Sequence, residues 1–150
     1  MVRKEEFSLA MFDTPGVRNL KIIGDEAKPV GVIVRDDELF LQVEITGYSE
    51  REHDIHVEIH GTGWPILNAE EVTYAGTGIV SGYVWHVFWT IVGSVSRTDE
   101  RRIYTIYKYP VREDGAVEID TDLRVVRELY REVQYGCLMA WVLLDTLQNR

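Results

Sequence analysis

Tyr83–Val92, YVWHVFWTIV, is a run of mostly β-branched and aromatic residues with no turn former inside it, the composition of a strand at the centre of a sheet. Side chains alternate along a strand, so Tyr83, Trp85, Val87, Trp89 and Ile91 share one face and Val84, His86, Phe88, Thr90 and Val92 the other. Both faces are apolar and both are expected to be covered. On the N-terminal side, Gly61-Thr62-Gly63-Trp64-Pro65 and Ala75-Gly76-Thr77-Gly78 read as turns that deliver neighbouring strands. Further back, Ile55, Val57 and Ile59 alternate with Asp54, His56, Glu58 and His60, and Leu39, Leu41, Val43 and Ile45 alternate with Phe40, Gln42, Glu44 and Thr46. Each pattern describes a strand with one core face. Asn19–Ile23 and Val30–Arg35 are shorter β-branched runs, and Asp36-Asp37 reads as a hairpin turn. Phe7–Phe12 reads as a first edge strand, and Ile103–Tyr109 as a strand stopped by Pro110.

Three separated pieces, GTGWPI at Gly61–Ile66, YAGT at Tyr74–Thr77 and VWHVF at Val84–Phe88, occur in the order found in a small uncharacterised domain of tailed phages and their bacterial hosts, which the first ninety or so residues resemble. Asn19–Thr46 is similar to that domain's first half. Trp64 stands where the family usually has His, and Thr105–Val111, TIYKYPV, is similar to the strand that opens the family domain, yet lies downstream. The resemblance implies a phage or mobile-element context. The family has no assigned activity, so it implies no catalytic residues.

At 150 residues with 45% hydrophobic content, the chain fits one domain with a substantial core. The formal charge of −9 repels a phosphate backbone and argues against general nucleic-acid binding. One cysteine, Cys137, rules out an internal disulfide framework and is read as a buried small apolar residue. No signal-peptide h-region and no membrane-length apolar run is present, so the expectation is a soluble protein of the cytoplasm, that of the host cell if phage-encoded.

From Asp122 the spacing changes. Leu123, Val126, Leu129, Tyr130, Val133, Cys137, Ala140, Trp141, Leu144 and Leu147 follow a helical period, with Thr121 or Asp122 as N-cap and Gly136 at a bend. Cys137–Leu144, CLMAWVLL, is apolar all round, and a helix of that kind needs cover on every side. The expected fold class is α+β: a mostly antiparallel sheet of about six to eight strands over residues 1–120, with one long C-terminal α-helix over 121–150 packed on it. Leu138, Met139, Trp141 and Val142 are then candidates for a self-association interface, in a homodimer or larger homo-oligomer.

Chemistry is sparse. His56, Glu58 and His60 lie on one strand face and form a weak candidate for a divalent cation; the alternative is a polar face set against its neighbour. His86, between Val84 and Phe88, reads as a hydrogen-bonded core histidine. Neither GTG segment is followed by GK[ST], and no nucleophile elbow or zincin motif occurs. No catalytic residue and no cofactor is expected. Paired acids at Asp36-Asp37, Glu70-Glu71 and Asp99-Glu100 read as solvated turns.

Arg97, Arg101 and Arg102 stand beside Tyr104 and Tyr107, with Trp64 as a further aromatic, the composition of a nucleotide pocket and equally of a solvated hairpin. Two functions follow as expectations. One is a non-catalytic phage accessory protein that sequesters a small ligand, such as a nucleotide immune signal, to antagonise host defence. The other is a protein-binding inhibitor or structural accessory factor with an acidic surface. A metal-dependent enzyme ranks below both.

Overall fold

The computed structural model describes residues 1–9, 16–92 and 102–146. Among these described residues eleven strands run β1 Val2–Ser8, β2 Val17–Ile23, β3 Glu26–Arg35, β4 Glu38–Thr46, β5 Glu52–Gly61, β6 Pro65–Leu67, β7 Thr73–Val80, β8 Tyr83–Ile91, β9 Ile103–Pro110, β10 Arg124–Gln134 and β11 Cys137–Asp145. A single 3-10 turn at Ala69–Glu71 is the one helical element among the described residues. Pairing is antiparallel throughout, in three sheets ordered β1-β4-β3, β2-β5-β8-β7 and β10-β11-β9-β6.

The chain divides into two compact units, Met1–Gly61 with Glu71–Arg97, and Thr62–Glu70 with Thr98–Arg150. In the first unit the three-stranded sheet β1-β4-β3 and the four-stranded sheet β2-β5-β8-β7 form a sandwich. The alternation read in β4 and β5 places Leu39, Leu41, Val43, Ile45, Ile55, Val57 and Ile59 in its core with Val87 and Ile22. The tyrosine-to-isoleucine strand β8 is central, between β5 and β7, and both of its faces hold buried residues, Val87 on one and His86 and Phe88 on the other. A methyl group on Gly78 would lie 2.6 Å from Leu39 Cδ1 and 2.8 Å from Val34 Cγ2, so glycine is what lets β7 approach the other sheet closely.

The C-terminal α-helix is the principal correction. Residues 124–145 form a hairpin, β10 and β11, turning on Tyr135 and Gly136, both with positive φ (51° and 79°), the backbone of a two-residue turn that matches strand twist. Two register shifts in β10, between Val125 and Arg127 and between Glu128 and Tyr130, explain the helical spacing. Each bulge adds one residue, so Arg124, Arg127 and Tyr130 fall on one face three residues apart instead of two. Ala140–Leu144 is apolar on both sides because this part of β11 is an inner strand covered on both, like strands in fully buried sheets. Leu144, Val142 and Ala140 are covered by Val111, Val117, Ile119 and Leu123 from the preceding connection. The fold is therefore all-β instead of α+β. Cys137 is a second correction: it opens β11 beside the hairpin turn and is exposed.

Candidate functional site

The second unit ends in a polar cluster where β9, β10 and β11 meet the Asn68–Glu70 segment. Asp145 closes β11 and is opposite Tyr104 of β9 and Arg124 of β10 in one register row. Its carboxylate is fully buried (0% exposed). Arg102 Nη2 donates to Asp145 Oδ2, and Arg124 donates to the same oxygen through Nη2 at 3.0 Å and Nε at 3.3 Å. Arg124 Nη2 also donates to Glu70 Oε2 at 2.7 Å, which accepts a second hydrogen bond from the Tyr104 hydroxyl. Asn68 clamps the start of β9: its Oδ1 accepts from the Arg102 amide and its amide donates to the Arg102 carbonyl, both at 2.8 Å.

The electrostatics follow from these contacts. Hydrogen bonds from Tyr104 and then Arg124 hold the Glu70 carboxyl below its ordinary range. Burial, reinforced by the Glu70 hydrogen bond, pushes the Tyr104 hydroxyl up to about 12, so it remains a proton donor to Glu70 at neutral pH. Two guanidiniums face two carboxylates, and a buried carboxylate requires such partners.

Of the residues proposed from sequence for a ligand, Arg102 and Tyr104 come together in this cluster. Trp64 immediately precedes β6 and is half exposed (43%). Tyr107 lies on the other face of β9 from Tyr104, opposite Val142. Arg97 and Arg101 fall outside the described residues. Glu70, Arg124 and Asp145 were missed: the first read as a solvated turn acid, and the other two were assigned to a helix. Of the four candidate interface residues, Leu138 is exposed (40%), Met139 is partly buried, and Trp141 and Val142 are buried within the second unit. Trp141 donates Nε1–H to Thr62 Oγ1 at 3.0 Å and packs on the Tyr130 ring.

A second cluster lies in the first unit, on the non-core face of β5. His56 Nε2 and His60 Nε2 sit 3.1 and 3.0 Å from the two oxygens of Glu58, and His56 Nδ1 sits 3.4 Å from Asn19 Oδ1. Among the described residues no group of three His, Cys, Asp or Glu side chains is arranged to hold a metal ion. His60 is paired in register with His86 of β8. The His86 ring is buried, with Nδ1 2.9 Å from Thr77 Oγ1, which also contacts the Tyr74 hydroxyl. Burial first, then the neighbouring His60, lowers the His86 pKa to about 3, so this is the neutral, hydrogen-bonded core histidine expected from its apolar flanks.

No family model, curated protein or solved structure matches the chain. Among the described residues no helix is long and apolar enough to cross a membrane.

Proposed function

We propose that the chain is a non-catalytic accessory protein that acts by binding a protein partner, its acidic surface docking on a basic one. The observation that carries this reading is the pairing of Arg102 and Arg124 with Asp145 and Glu70. A phosphate group arriving at these guanidiniums would have to displace carboxylates already bonded to them, one of them buried. The formal charge of −9 favours basic partners and opposes anionic ones. A phage origin and a place in the host cytoplasm rest on the resemblance of Gly61–Phe88 to the phage domain and remain part of the proposal.

Sequestration of a nucleotide signal is the second reading. It is favoured by the convergence of Arg102 and Tyr104 at the end of the segment that carries Arg97 and Arg101. Native mass spectrometry of the purified protein with a mixed pool of cyclic and linear nucleotides separates the two. The protein-binding reading predicts no nucleotide mass on the protein. Uptake in a fixed ratio per chain, lost on replacing Arg101 and Arg102 by alanine, would overturn it in favour of sequestration.

A further inference from the structure

The sheets β1-β4-β3 and β9-β11-β10 share one strand order, and the likeness extends to individual hydrogen bonds. Ser8 pairs with Phe40 as Pro110 pairs with Met139, and Val2 with Thr46 as Tyr104 with Asp145. Arg35 closes its hairpin on Glu38 as Gln134 does on Cys137, each around two residues of positive φ, Asp36-Asp37 and Tyr135-Gly136. A bulge interrupts β3 between Pro29 and Gly31, opposite Val43 and Gln42. The matching bulge interrupts β10 between Glu128 and Tyr130, opposite Val142 and Trp141. Outside the ladders, Leu9 N donates to Leu39 O as Val111 N does to Leu138 O. Gly47 N likewise donates to Met1 O as Thr146 N does to Ile103 O. Independent sheets have no reason to share a bulge at the same rung, because a bulge can sit at any rung of a ladder.

We infer that the second unit contains a second copy of the β1-β4-β3 module, and that this copy is converted into the seat of a strap, Thr62–Glu70, latched by Tyr104, Arg124 and Asp145. The inward faces correspond: Leu39, Leu41, Val43 and Ile45 against Leu138, Ala140, Val142 and Leu144. The outward faces do not. The first copy carries Lys4, Glu6, Gln42 and Glu44 there, a polar face, where the second has Ile106, Lys108, Trp141 and Leu143.

Three of those four replacements are apolar and buried. Against them lies the strap. β6 adds to the β9 edge through Pro65, Ile66 and Leu67, Gly63 N donates to Ile106 O at 2.8 Å, Ile66 is buried, and Thr62 receives the Trp141 indole N–H. The row that reads Val2, Thr46, Glu26 in the first copy reads Tyr104, Asp145, Arg124 in the second. The first copy builds the same strand order and the shared bulge without this row, and the second bulge of β10, between Val125 and Arg127, is found beside the row in the second copy alone, so a sheet of this pairing does not require the row. Its outlet is Glu70, the last residue of the strap, held by Tyr104 and Arg124. These three are positioning residues for the strap.

The test gives the second copy the first copy's row, Tyr104→Val, Arg124→Glu and Asp145→Thr, and follows amide hydrogen exchange by NMR on the full chain. A separate Glu70→Ala variant removes the latch while leaving the sheet's own residues untouched. The inference predicts that the strap amides of Gly63 and Asn68 exchange at least about tenfold faster in both variants, a local opening. The sheet amides of Val111 and Thr146 keep their protection. Strap protection unchanged in Glu70→Ala would overturn the latch. Loss of sheet protection in the row variant would show that the sheet needs these residues, and would overturn their assignment as additions to a copied module.

Discussion

His86 is the residue whose environment most clearly sets a property of the protein. Its neutral form is favoured when folded, with a pKa of about 3 against an ordinary 6.5. The unfolded chain therefore binds a proton that the folded chain refuses anywhere between those values. The stability contributed by neutral His86 is complete above pH 6.5 and is lost as pH falls towards 3, by up to about 1.4 kcal/mol per pH unit. Between pH 7 and pH 5 the wild type is expected to lose about 2 kcal/mol from this residue alone. Denaturant midpoints for wild type and His86→Gln at the two pH values measure it. The variant should lose less, and an equal loss would remove His86 as the cause. The character of this residue was legible in the sequence, because a histidine flanked by Val84 and Phe88 on an apolar strand face needs a hydrogen-bonding neighbour, and Thr77 supplies it. Asp145 was not legible, since a carboxylate at the end of an apolar run acquires meaning only when Arg102 and Arg124 fold onto it.

At the scale of elements, strands with a clean period of two were readable and the bulged one was not. β4 and β5 alternate apolar and polar residues, and their inward residues are buried as that alternation requires. β10 breaks the period twice, and a strand with spacing three between equivalent positions imitates a helix to any reading based on periodicity. Tyr135-Gly136 held the contrary signal, a turn before a continuous apolar run short enough for a buried strand. Tyr135 occupies a left-handed conformation that suits Asn far better than an aromatic residue, and its side chain is 99% exposed, so it contributes no packing. Tyr135→Asn should therefore stabilise the protein by about 0.5 kcal/mol, read as a higher denaturant midpoint with an unchanged slope. A lower midpoint would mean that the hairpin turns in some other geometry.

For the whole molecule, the sequence suggested one sheet followed by one helix, and the chain instead uses one three-stranded module twice. The repeat was hidden because its copies agree in backbone register while their outward residues differ, polar in the first and largely apolar in the second. β9 pairs with the PIL strand of the GTGWPI segment, a partner that β1 of the first copy lacks. An apolar C-terminal segment no longer asks for a partner subunit, because β11 is enclosed by its own unit; the acidic surface and the neutralised arginines carry the functional reading instead. The direct measurement is the register of residues 103–145 from cross-strand nuclear Overhauser contacts in solution. The account predicts Trp141 opposite Lys108 on one side and Tyr130 on the other, with Leu129 as the bulged residue between rungs. Contacts three residues apart along Arg124–Leu144, or a ladder displaced from the register of β1-β4-β3, would contradict it.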